Sequence, residues 1–118
     1  MTGSAAHVRV IEETPAYWRV VFDNPPLNLV DATMFEDLQG LLARMDASPN
    51  LRVVVFESDN PDFYLAHFDL SDEARYVGLL KTVGPSGLPT LIDTFVRLTR
   101  SPIVSIAKIR GRVRGVGS

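Results

Sequence analysis

The 118-residue sequence contains no cysteine, which excludes disulfides, thiol nucleophiles and cysteine-ligated metal sites and fits a reducing compartment. Long apolar runs are missing too: no window approaches the ~20 apolar residues of a membrane span. The opening stretch, MTGSAAHVRV, combines neither a basic region nor an apolar core, so it does not read as a signal peptide. Neither sign of charge is in excess. Twelve Lys and Arg stand against fourteen Asp and Glu, a net charge of −2, so nothing global favours nucleic acid or an anionic membrane as a partner. There is no evident internal repeat and no low-complexity tract. The expectation is a soluble, cytoplasmic chain forming a single domain over residues 1–118, with a core of ordinary globular composition.

What is present reads as an α/β alternation. Val8–Ile11 and Tyr17–Phe22 are β-rich runs split by the turn residues Glu12 to Ala16, and Asn24-Pro25-Pro26 stops the second strand. A helix follows, with Thr33 and Glu36 at capping-box spacing and Asp31 as a competing N-cap. Its apolar stripe is Phe35, Leu38, Leu41, Leu42 and Met45, and Ser48-Pro49-Asn50 ends it. Leu51–Phe56 is almost unbroken in apolar residues, as in a strand of a parallel sheet covered on both faces. Phe63–Leu70 is apolar without a clear period, and Ser71–Gly87 reads as a polar, glycine-containing loop. Leu88–Leu98 predicts a helix with Leu88, Leu91, Ile92, Phe95 and Val96 on its apolar side. Ile103–Ala107, introduced by Pro102, predicts a buried strand. The order is β-β-α-β-loop-α-β, with a mainly parallel sheet after the hairpin. Trp18, Tyr17 and Phe22 are expected in the core of the hairpin.

Beyond the last strand come Gly111, Gly115 and Gly117, the punctuation of a backbone that bends sharply or approaches something closely. A strand, a glycine turn and a helix start together aim backbone N–H groups at an anion or a carbonyl oxygen. The sequence stops at Ser118 before such a helix, so the chain is expected to be truncated within this motif. Ligands of open α/β sheets gather at the carboxyl ends of strands, which would let Tyr64–Asp69 and Gly111–Ser118 face one site.

Four landmarks in order carry a resemblance. They are Asn24-Pro25-Pro26-Leu27-Asn28, Asp46 to Val55, Phe63 to Leu70, and Ile106 to Gly111 leading to Gly115-Val116-Gly117-Ser118. Over Val8–Ser118 the chain resembles the N-terminal half of the enoyl-CoA hydratase/isomerase (crotonase) superfamily. The resemblance implies a crotonase-like spiral of β-β-α units, of which this chain holds the N-terminal portion only. It also implies an acyl-CoA thioester as the ligand, with coenzyme A as part of the substrate and no separate cofactor or metal, and a homo-oligomer, either a trimer or a dimer of trimers. By the same resemblance, the backbone N–H groups of Phe68 and Val116 form an oxyanion hole for the thioester oxygen as it becomes an enolate. Ala66, His67, Asp69, Gly115 and Gly117 line the substrate around it, with Asp69 as a structural anchor of its loop.

The chain departs from the family pattern at three places. His67 stands where glycine is usual, as a loop histidine or as a base or acyl-group contact. Ser71 and Pro25-Pro26 stand where basic residues often meet CoA phosphates. Lys108, Arg110, Arg112 and Arg114 alternate, so an extended backbone would place them on one side, as a solvated edge, a subunit contact or an anion-binding face. The glutamates that serve family hydratases as acid and base would lie after Ser118. Glu57, Asp59, Asp62, Asp72 and Glu73 lie near the first loop without forming an evident acid/base pair. Hydratase, isomerase, hydrolase and decarboxylase are therefore not separated. A non-catalytic oligomerisation or binding module is the alternative.

Overall fold

The computed structural model describes residues 7–115. Strand β1 (Val8–Thr14) turns back on β2 (Tyr17–Phe22) as the expected hairpin, with Val8 opposite Phe22. Strands β3 (Val53–Ser58) and β5 (Val104–Ala107) then add in parallel, giving one sheet in the order β1-β2-β3-β5. Because side chains alternate along a strand, Trp18, Val20 and Phe22 share a face with their register neighbours Val54 and Phe56, and all five are buried. Helix α1 (Ala32–Asp46) covers that face with Met34, Phe35, Leu41, Leu42 and Met45. Burying side chains of this size contributes about 1.5–3 kcal/mol each, so this layer dominates the core. Tyr17 is half-buried, which makes it a border residue of the hairpin core.

Asp31, not the Thr33–Glu36 pair, caps α1. Its Oδ1 accepts the Met34 N–H at 2.8 Å. Thr33 and Glu36 instead accept hydrogen bonds from the guanidinium of Arg75, at 3.0 and 2.6 Å. Arg75 lies in a helix, α2 (Glu73–Lys81), N-capped by Asp72, where the polar Ser71–Gly87 stretch predicts a loop. The polar surface of α2 and its Gly78 hid it, and only Leu79 is fully buried there.

Helix α3 (Thr90–Arg100) starts later than Leu88, and its buried residues are Asp93 and Thr94. Leu88, Ile92 and Phe95, expected on the apolar side, are exposed. Leu91 and Leu98 pack against the core and the Phe95 ring meets that of Phe35 edge-on, while the two most buried positions are polar because Gln39 of α1 supplies matching partners, donating 2.9 Å to Asp93 and 2.7 Å to Thr94. The strand at Ile103–Ala107 exists over Val104–Ala107, but it is not buried. Among the described residues it is the edge of the sheet, paired only with β3, and Val104 and Ile106 are 56% and 47% exposed. For β3, Val54 and Phe56 are buried while Val53 and Val55 are half-buried, so its outer face is only partly covered.

The three parallel strands end on the same side, with Phe22 level with Ser58 and Phe56 level with Ala107. A second small sheet follows from two of these ends. It pairs β4 (Phe63–Leu65) in parallel with β6 (Arg112–Val113). This small sheet brings the two loops of interest together.

Candidate active site

The junction of the loops is built on Asn28, the one described non-glycine residue with positive φ (57°). Asparagine tolerates this left-handed conformation better than most residues. Asn28 is 1% exposed, and a buried amide must have its donors and acceptors satisfied. Its Oδ1 accepts the Asn24 N–H at 2.8 Å, and its Nδ2 donates to Ser58 Oγ and to the Tyr64 carbonyl, each at 2.8 Å. Ser58 Oγ in turn donates to the Phe63 carbonyl at 2.6 Å. The exits of β3 and β4 are thereby tied to the turn after β2. In the sequence Asn28 is a landmark without an assigned role; its signal is a lone amide among Leu27, Leu29 and Val30.

From β4 onward the first loop runs beside Asn28–Val30. The Ala66 N–H donates to the Asn28 carbonyl at 3.0 Å, the Val30 N–H to the His67 carbonyl at 3.1 Å, and the Asp69 N–H to the Val30 carbonyl at 2.8 Å. The groups flanking Phe68 are thus all used on that side. The Phe68 N–H points away from it, and none of the described hydrogen bonds takes it. The Phe68 ring anchors the loop inward, 5.6 Å from the Phe35 ring and 5.0 Å from that of Tyr76. Asp69 accepts the Ser71 N–H at 2.9 Å, and the bonds from Ser71 hold its carboxyl below the usual carboxylate range. Its contacts are those of a loop anchor. Burial pushes the Tyr64 phenol up to about 12, so it is neutral at physiological pH.

The glycine segment meets this loop directly. The Arg112 N–H donates to the Asp62 carbonyl at 2.9 Å and the Arg114 N–H to the Leu65 carbonyl at 3.1 Å. A Cβ at Gly111 would lie 2.8 Å from the Asp62 carbonyl carbon and the Phe63 nitrogen, so only glycine permits this approach. Gly115 has φ +56°, and a Cβ there would lie 2.6 Å from Nδ1 of His67. His67 itself is exposed and does not adopt a positive φ, so histidine at this position costs no left-handed strain. Val116, Gly117 and Ser118 lie outside the described residues; of the two residues expected to donate to the thioester oxygen, Phe68 alone is among those described.

The His67–Gly115 contact makes a specific prediction. Gly115→Ala should destabilise the protein by about 1–2 kcal/mol from its backbone conformation alone, and more while His67 occupies the space of the new methyl. In thermal denaturation, the Gly115→Ala and His67→Gly changes should therefore be non-additive, with a favourable coupling of about 0.5–3 kcal/mol in the double variant. Strict additivity would show that the two residues do not touch.

The other charged candidates are largely committed elsewhere. Arg19 binds Glu57 through two nitrogens, at 3.3 and 2.6 Å, and this pairing holds the Glu57 carboxyl below its ordinary range. Lys108 and Arg110 add to that effect from nearby. A carboxyl so held suits an ion pair rather than a proton donor. Asp59 pairs with Arg9 and Asp72 caps α2. Lys108–Arg114 is not one extended segment: β5 ends at Ala107, Gly111 bends, and β6 spans only Arg112–Val113. The single basic side of a continuous strand is therefore not built, and Arg112 lies 4.7 Å over the Phe63 ring. Among the described residues no group of three or more His, Asp or Glu could hold a metal ion, and no helix is long and apolar enough to cross a membrane. An apolar cleft of about 350 Å³ opens between α1, α3 and β5, with Phe35, Leu38, Phe95, Ala107 and Ile109 among its walls.

No protein-family model matches the sequence, and no curated protein matches it. Solved structures do. A candidate enoyl-CoA hydratase of Streptomyces avermitilis matches with a TM-score of 0.82 and 28% identity, over 97% of this chain and 42% of that one. DspI of Pseudomonas aeruginosa matches with a TM-score of 0.73 and 21% identity, over 95% of this chain and 41% of that one. An enoyl-CoA hydratase of Bacillus anthracis matches with a TM-score of 0.70 and 19% identity, over 91% of this chain and 41% of that one. The chain spans about two fifths of the length of these structures. The resemblance read from its landmarks is matched in three dimensions, and its fold is that of the crotonase structures.

Proposed function

We propose that this chain, which has the fold of enoyl-CoA hydratase/isomerase structures, belongs to a soluble, cytoplasmic protein that handles acyl-CoA thioesters. In it the Phe68 N–H is one of two backbone donors to the thioester oxygen, and Val116, next to Gly115, supplies the other. The observation that carries this reading is the Phe68 N–H, turned away from three flanking backbone hydrogen bonds at the point where the glycine segment touches the loop. A backbone donor fixed before the reaction stabilises negative charge as it develops, with no reorganisation when the substrate arrives. As the thioester becomes an enolate, its oxygen takes up that charge, and hydration of an enoyl-CoA or migration of its double bond both pass through such a species. Side-chain identity matters little to such a donor, which suits phenylalanine and valine in this role. Coenzyme A enters as part of the substrate. The exposed Val104, Ile106 and Ile109 fit a surface that is covered in the assembled protein, in keeping with a homo-oligomer.

The test is calorimetric titration of the protein at its natural full length with acyl-CoA thioesters of several chain lengths and with free CoA, beside thermal denaturation. Binding to the native state alone stabilises it by about 2.7 kcal/mol at a hundredfold excess over Kd. Acyl-CoA should give heat and raise the melting temperature more than free CoA does. Neither heat nor shift across the series would overturn the proposal in favour of a non-catalytic module.

A further inference from the structure

We infer that Asn28 is a positioning residue that sets the direction of the Phe68 N–H; the inference rests on the acyl-oxygen site proposed above. Every hydrogen-bonding group of Asn28 is in use. Its own N–H donates to the Asn24 carbonyl at 2.8 Å and its carbonyl accepts from Ala66 at 3.0 Å. Its side chain takes the Asn24 N–H and gives one hydrogen to Ser58 and one to the Tyr64 carbonyl. A single residue thus grips the loop at both Tyr64 and Ala66. One residue beyond Asn28 and Leu29, Val30 grips the loop again at His67 and Asp69. Between those holds the Phe68 peptide has no freedom to turn its N–H elsewhere.

The residue type follows from three demands. The backbone is left-handed, which glycine, asparagine and aspartate tolerate. The side chain must accept at one atom and donate twice at the other, which excludes glycine and ionised aspartate. It must do so with almost no exposure, where a missing partner is costly. Asparagine alone meets all three. The consequence for function is geometric. A donor must sit within about 0.5 Å and 10–20° of its productive place, and a 1 Å misplacement can cost about a hundredfold in rate.

The experiment compares Asn28→Gly and Asn28→Asp with wild type in the full-length protein. Asn28→Gly keeps the backbone conformation without the amide; Asn28→Asp keeps the shape but removes both donors. Asp93→Asn, which weakens the distant α1–α3 contact, is the control for lost stability. Two quantities are read: amide hydrogen exchange along Ala66–Asp69, and kcat and KM for enoyl-CoA turnover. We expect exchange to accelerate at Ala66 and Asp69 beyond its rise in the rest of the protein. We also expect kcat to fall by about 10–100-fold with KM changed far less, while Asp93→Asn leaves kcat at the wild-type value. Exchange that rises uniformly, as in the control, would overturn the inference, and so would local loosening with kcat unchanged. If wild type itself turns over no acyl-CoA, the proposed function falls, and the exchange pattern still decides whether Asn28 holds the loop.

Discussion

Replacing the Phe68 peptide N–H with an ester oxygen, the phenyl ring retained, is expected to lower acyl-CoA turnover by about 10²–10³-fold, the usual cost of one oxyanion donor. The ester is the informative change because the ring has its own task. Its contacts with Phe35 and Tyr76 seat the loop on α1 and α2, so Phe68→Ala would mix lost packing with altered chemistry. The ester leaves those contacts in place. It removes no described hydrogen bond of the folded chain, since the Phe68 N–H serves none of them, but the His67 carbonyl, now part of an ester, accepts the Val30 N–H less strongly, so stability should fall by no more than about 0.5–1.5 kcal/mol. The loss should fall on kcat, with KM nearly unaffected, because the donor meets its full charge only as the enolate forms. Unchanged kcat in the ester variant would remove Phe68 from the site and with it the oxyanion reading.

The contrast between Phe68 and its surroundings also marks what could be read from residue order. The hairpin, α1 and the parallel β3 followed from local pattern, because each buries one continuous face. The position of both loops after parallel strands pointed to one shared site, and the structure places Gly115 against His67 and Gly111 against Asp62–Phe63. The misses have a common physical origin: each depended on a partner far away in sequence. Thr33 and Glu36 have capping-box spacing, but Arg75 claims both, and Asp31 caps the helix. Helix α2 has too few apolar residues to announce itself and is held by Leu79, by Tyr76 against Phe68, and by Arg75. The β-branched run in β5 suggested burial, yet burial depends on neighbours, and as the edge strand it has a partner on one side only. In α3 the periodicity marks apolar positions, of which Leu91 packs against the core and Phe95 against Phe35, while the most buried residues are Asp93 and Thr94, because Gln39 lies opposite them.

Asp93 gives the largest expected effect on stability. It is fully buried, 0% exposed, and sits where a helix would ordinarily place leucine. Its Oδ1 accepts the Ser86 N–H at 2.9 Å, its Oδ2 accepts Gln39 Nε2 at 2.9 Å, and Arg97 approaches to 3.5 Å. Burial pushes this carboxyl up, but the hydrogen bonds from Ser86 and Gln39, with the charge of Arg97, outweigh it and bring the value down to about 2. Removing one partner of such a buried charged cluster typically costs about 3–5 kcal/mol, a large share of the ~5–15 kcal/mol that stabilises a domain. Asp93→Ala should therefore leave the protein close to unfolding, and Gly84→Ala should act through the same group, because a Cβ at position 84 would overlap the Asp93 carboxylate. The pH dependence has a definite sign. The folded-state value lies below the ordinary 3.8, so the contribution is complete above that pH and is lost as pH falls from about 4 towards 2. Glu57 and Asp69 are also held low and lose stabilisation on acidification, so the decisive quantity is the difference between wild type and Asp93→Asn. In urea denaturation from pH 5 to pH 2 that difference should shrink as Asp93 is protonated. A constant difference across the window would mean that the Asp93 charge plays no part in joining α1 to α3.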